Sequence, residues 1–148
     1  MMDPHVTALI ERLALQRHPE GGWYRETWRA DAAPGERASG TAIHYLLEAG
    51  QRSHWHKVDA VEVWHYYAGA PLRLSISDGR TVDEHMLGAD LDAGQRPQVV
   101  VPTQAWQAAV STGEWTLVGC TVSPGFDFSA FEMAPPGWRP TPRKPGGM

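Results

Sequence analysis

A single cysteine, Cys120, occurs in the 148 residues. That excludes an internal disulfide and removes any argument for an oxidising compartment. An excess of charge of one sign is missing too, since 13 Lys and Arg face 17 Asp and Glu for a net charge of -4. So mild a balance implies no particular charged partner and offers no basic stripe for nucleic-acid phosphates, which argues against a nucleic-acid partner. No apolar run is long enough to span a bilayer, and no charged n-region leads into an apolar stretch at the start. The expectation is a cytoplasmic protein without a membrane partner. No internal repeat and no second domain is discernible, and the length suits one domain with its own core.

Helical signal is scarce as well. It is convincing only over residues 3–15, where Asp3 can cap, Pro4 suits the first helical position, and Val6, Leu9, Ile10 and Leu13 recur on one face. "HPEGG" breaks that pattern, and short strands separated by turn signals follow. Leu72, Leu74 and Ile76 alternate with Arg73, Ser75 and Ser77, the mark of a strand with one buried face, and "SDGR" makes the next turn a hairpin turn. The reading is an all-β sandwich or barrel over residues 21–132. The tail at 134–148 is rich in Pro and Gly, which predicts irregular chain that crosses the surface or hangs free.

The richest stretch is "SHWHKVDAVEVWHYYAG", Ser53 to Gly69. On a regular strand alternate side chains share a face with Cα atoms ~6.6 Å apart, so His54 and His56 point one way and Trp55 the other. Glu62, Trp64 and Tyr66 form a second such row on the following strand. Two imidazoles and a carboxylate, His54, His56 and Glu62, are a donor set for one divalent ion with open positions. The competing reading is a group of hydrogen-bonded, half-buried imidazoles in an aromatic-rich β protein.

Other side chains extend the candidate site. Trp23, Trp28, Trp55, Trp64, Trp106 and Trp115 fall in expected strands, and each indole N–H needs a partner if buried. Most are expected to fill the core, with Trp64 and Trp106 lining a pocket beside Glu62 and Gln107. His44 and Tyr45 point to opposite faces, so only one looks inward. Arg25 and Thr27 share a face with Trp23; an inward Arg25 would recruit a carboxylate or phosphate, whereas an outward one would pair with Glu26 or Glu36. Cys120, in the apolar run "LVGCTV", reads as an inert buried thiol. His18 and Glu20 belong either to a pocket rim or simply to the turn.

"HPEGGWYRET", "HKVDAVEVWHYYAGAPLRLSISDG", "VVPTQAWQAA" and "LVGCTVSPGFDFSAFE" resemble the successive blocks of the DUF985 (Cupin_5) family of the cupin superfamily, in family order from about His18 to Glu132. The resemblance implies a cupin jelly roll, similar in architecture to the sugar-nucleotide epimerases of the dTDP-rhamnose pathway and often paired into a homodimer. It implies no established reaction. In the wider cupin pattern Gly50, His54, His56, Glu62 and Gly69 fill the first block, with a gap between His56 and Glu62 one residue longer than usual. In the second block Pro102 is followed by Gln104 where a glycine is usual, and Gln107 stands where the third histidine ligand would be. An amide oxygen is a weaker transition-metal ligand than imidazole, so occupancy by Zn, Mn, Fe or Ni is expected to be partial or nil.

Two functions of different class fit these residues. In the first, the protein is an isomerase- or epimerase-like enzyme acting on a carbohydrate-type or other small polar metabolite. His56 would be the base, Glu62 its partner, and Tyr66 or Tyr45 the acid, with Arg25, Thr27, Tyr45, Trp64, Trp106 and Gln107 as binding residues. A metal-assisted version would place His54, His56 and Glu62 around one ion. In the second, the same cluster recognises a ligand without catalysis.

Overall fold

The computed structural model describes residues 3–141. Helix α1 (Pro4–Leu13) begins where the Asp3 carboxylate accepts the His5 N–H at 2.7 Å and ends at Ala14, whose left-handed backbone turns its N–H onto the last carbonyls. Its apolar face, Val6 with Leu9, Ile10 and Leu13, packs on Leu15, Leu46 and Leu117. The helix therefore covers part of the outside of a sheet.

Among the described residues eleven strands follow: β1 (Gln16–Arg17), β2 (Trp23–Arg29), β3 (Thr41–Glu48), β4 (Arg52–Lys57), β5 (Val61–Gly69), β6 (Leu72–Ser77), β7 (Val82–Leu87), β8 (Gln98–Val101), β9 (Trp106–Ser111), β10 (Trp115–Ser123) and β11 (Glu132–Met133). They form two antiparallel sheets, ordered β1-β2-β3-β10-β5-β8 and β11-β4-β9-β6-β7. The expected hairpin joins β6 to β7. Between the sheets lies the main core, with Tyr45, Leu47, Trp64, Leu72, Leu74 and Val118 among its members. Cys120 is buried in it.

Of the three register irregularities among the described residues, the one in β5 opposite Leu117–Val118 lies beyond the site, and the other two reset which candidate side chains look inward. In β4, Ser53 pairs with Ala109 and His56 with Gln107, so three steps on one strand oppose two on the other. Such a bulge reverses the alternation beyond it. In β2 the register against β3 shifts between Glu26 and Trp28, where the Thr27 hydroxyl donates to the Ala42 carbonyl at 3.2 Å.

The C-terminal segment runs back over the second sheet. Trp138 packs its ring 4.6 Å from Trp106 and 6.0 Å from Trp55, and the Thr141 N–H reaches the Gly79 carbonyl. Through Thr141 the tail is thus chain laid across the surface; the rest of it, 142–148, lies outside the described residues. Among the described residues no helix is long and apolar enough to cross a membrane.

Candidate functional site

His56 is buried on the inner face of β4, and its Nδ1 lies 2.7 Å from the His54 carbonyl oxygen. A carbonyl can only accept, so Nδ1 carries a proton and Nε2 of the neutral ring holds a lone pair. Nε2 lies 3.0 Å from Glu20 Oε2, with both side chains buried. One proton must sit between them. Burial pushes the Glu20 carboxyl up to about 8, against the opposing pull of the nearby Ser53 and Tyr45 hydroxyls. Burial likewise lowers His56, against the field of Glu62 and the bond to the His54 carbonyl. Both shifts favour the uncharged pair, in which the Glu20 carboxylic acid donates to Nε2. Ser53 Oγ is buried in the same region and makes no hydrogen bond of normal geometry.

The turn that delivers Glu20 is written in "HPEGG". Gly21 N–H returns to the His18 carbonyl, and His54 N–H bonds the Glu20 carbonyl at 2.9 Å, docking the turn on β4. Gly21 has φ of +108°, and a Cβ there would stand 2.0 Å from the Arg52 carbonyl oxygen. Only glycine permits that approach. His18 Nδ1 accepts the Glu20 backbone N–H at 3.1 Å, so its 3.9 Å approach to the Glu20 carboxyl is no ion pair. Burial and the neighbouring His56 lower His18 to about 4.

Glu62 enters from β5 in the opposite sheet. Trp64 Nε1 donates to Gln107 Oε1 at 2.7 Å, and Gln107 Nε2 donates to Glu62 Oε1 at 2.9 Å. An indole N–H can only donate, so the amide must present its oxygen to Trp64 and its nitrogen to Glu62. Burial raises Glu62 to about 7, with His56 opposing the rise and Glu20 adding to it.

Glu20, His56 and Glu62 share one cavity of about 270 Å³. Tyr24, Phe126 and Phe128 form its aromatic side. Glu26 and Arg29, also in the lining, satisfy one another at 2.6 Å.

Several expected site residues are placed elsewhere. His54 is turned away from His56 by the β4 bulge and bonds the Pro135 carbonyl at 3.1 Å. The set His54, His56 and Glu62 does not converge, and both ends of the Gln107 amide are engaged. The donor set thus does not fit a metal, and among the described residues no three His, Cys, Asp or Glu side chains are grouped to hold one. Tyr66 faces inward but directs its hydroxyl to the Gly69 carbonyl at 2.5 Å, outside the cavity lining. Tyr45 is the inward member of its pair; its buried hydroxyl donates to the Gly21 carbonyl, and so it supports the turn. His44 faces out against Tyr67. Arg25 is exposed opposite His44, and Thr27 is spent in the bulge, so neither reaches the cavity. Trp106 packs outside the second sheet beneath Lys57 and Trp138, because its neighbour Gln107 points in. Trp64 is buried core that orients Gln107. Glu20 was legible only as turn chemistry or pocket rim. The two glycines after it were the signal that the turn makes a close backbone approach.

Two antiparallel sheets closed around a cavity lined by polar groups and aromatic rings make a cupin jelly roll. The chain belongs to the DUF985 family of the cupin superfamily (Cupin_5), whose model matches residues 7–134. It is similar to a protein of Shewanella oneidensis of known crystal structure, at 36% identity and a TM-score of 0.83 over 90% of this chain and 85% of that one. A hypothetical protein from Leishmania major is 32% identical, with a TM-score of 0.78 over 86% of each chain. An oxalate decarboxylase of Bacillus subtilis shares the fold alone, at 17% identity and a TM-score of 0.59 over 79% of this chain and 29% of that one. No protein of curated function matches the sequence.

Proposed function

We propose that this cupin binds a small, uncharged polar metabolite of carbohydrate type in its cavity and moves a proton on it, as an isomerase or epimerase does. The observation that carries the reading is the 3.0 Å approach of Glu20 Oε2 to His56 Nε2, which one proton must bridge, in the cavity that Glu62 also lines. Glu62, raised by burial and steered through Oε1 by the Gln107 amide, can accept a proton. A carboxyl near 8, backed by an imidazole, retains one to give. Two carboxyls with different partners, Gln107 for Glu62 and His56 for Glu20, supply a base and an acid in one pocket. In this scheme Glu62, steered by Gln107, takes the substrate proton, and the Glu20–His56 pair returns one.

The preference for an uncharged ligand follows from burial. Each ionisable group of the polar side is driven toward its neutral form: Glu20 and Glu62 upward, His18 and His56 downward. A charged ligand would meet the same desolvation penalty. Arg29, the cation in the lining, is already neutralised by Glu26.

A thermal-shift screen of neutral sugars, polyols and hydroxyketones against charged metabolites, followed by product analysis, tests this. Stabilisation by a neutral compound that is then converted to an isomer is expected, with Glu62→Gln keeping binding and losing conversion. Stabilisation by anionic compounds alone, or binding without any product, would contradict the proposal.

A further inference from the structure

Phe128 exposes 53% of its surface and yet lines the cavity. The backbone that carries it is braced. Asp127 Oδ1 accepts from Ser129 N–H at 2.9 Å and from the Ser129 hydroxyl at 2.8 Å, which closes the short 3-10 turn Phe128–Ala130. The Gly125 N–H bonds the Ala38 carbonyl, while Arg37 Nε donates to the Gly125 carbonyl at 2.7 Å and forks onto Asp59. Phe126 meets Phe128 at 4.7 Å with their planes 88° apart. The His18 ring lies 4.4 Å from Tyr24 and 6.5 Å from Phe128, so hydrogen-bonding and aromatic groups meet in one lining.

An isolated exposed phenylalanine calls for no explanation. This one belongs to an aromatic cluster that lines the same cavity as the hydrogen-bonding groups, and the turn beneath it fixes its backbone there. A lining of this kind suits a ligand with two unlike sides. We infer that the ligand carries a hydroxylated ring whose C–H face rests on Phe128 while its hydroxyl edge meets Glu62, Glu20 and His56. This inference rests on the binding reading above and narrows it. An open-chain polyol of the same composition has no permanent apolar face and would lose more torsional freedom on binding. Phe128 is therefore a specificity-determining residue that selects rings over chains.

Ligand-observed saturation-transfer NMR on the full chain tests this with methyl hexopyranosides of several configurations and myo-inositol, against sorbitol and mannitol, and against glucose 6-phosphate and glucosamine. Cyclic neutral compounds should bind at least tenfold more tightly than the alditols, with saturation strongest at C–H positions of one ring face. Phe128→Ala should weaken that binding at least tenfold and Phe128→Trp should retain it, with the circular dichroism of both variants unchanged. Alditols binding as well as rings, or Phe128→Ala binding like wild type, would overturn the ring inference and leave the neutral-metabolite reading standing. Binding by the charged compounds alone would overturn the reading itself, and binding by none of the three sets would overturn both.

Discussion

Glu20→Gln should make the protein more stable than wild type near neutral pH, by a margin that grows as pH rises. The Glu20 carboxyl is pushed from 4.5 up to about 8 in the folded protein, chiefly by burial. Between those values the unfolded chain has released the proton and the folded chain still holds it. Because the folded state binds more protons, stability falls as pH rises through this window. The slope is at most ~1.4 kcal/mol per pH unit, so the loss between pH 5 and pH 7 is on the order of 2–3 kcal/mol. Glutamine cannot ionise, and its amide N–H can donate to His56 Nε2 in place of the acid proton, so the 3.0 Å contact survives. His56 shifts in the opposite sense and costs stability below its ordinary value of 6.5, but it is present in both proteins and largely cancels. Urea unfolding at pH 5, 6 and 7 gives the difference between variant and wild type directly, provided the m-value is unchanged. An advantage that widens by about 2–3 kcal/mol across this range is expected. A margin that stays flat, or a variant that loses ground as pH rises, would show that the folded Glu20–His56 pair does not keep the proton that the unfolded chain releases, and the one-proton account would be refuted.

Trp64→Phe removes the donor that fixes the Gln107 amide, leaving Gln107 Oε1 buried without its partner, and should cost about 1–3 kcal/mol in urea unfolding. A loss below ~0.5 kcal/mol would show that the amide is held by other means. Trp138→Ala takes away the ring packed at a tilt on Trp106 and should cost about 2 kcal/mol, with a change in intrinsic tryptophan fluorescence. An unchanged urea midpoint and spectrum would mean that the C-terminal segment is not anchored there in solution.

Much of the fold was legible in local pattern. The Asp3–Pro4 start and the apolar stripe of α1, the alternation in β6 and the turn at Asp78–Thr81 each follow from rules acting within a few residues. The site was legible only in part, since strand parity fails wherever a bulge adds a residue. His54 and His56 seemed to share a face, but the bulge between Ser53 and His56 separates them, and the shift at Thr27 alters the faces of β2 in the same manner. Nothing local in "SHWHK" encodes such a bulge, because it depends on how β4 pairs with β9. Glu20 escaped for a related reason: it meets His56 across a turn whose docking depends on the backbone of β4. The pairing of Glu62 with Gln107, by contrast, was within reach, because both face inward on stretches where no bulge intervenes.

The central claim, proton transfer on a neutral ligand by Glu62 with the Glu20–His56 pair, is tested most directly by isotope exchange. Wild-type protein incubated in D₂O with neutral sugars and hydroxyketones should place deuterium on a carbon of one of them, read by mass spectrometry. That exchange should fall at least a hundredfold in Glu62→Gln, a loss within the range ascribed to one general acid or base. A neutral compound that binds wild-type protein and gains no deuterium, or exchange that persists undiminished in Glu62→Gln, would contradict the account.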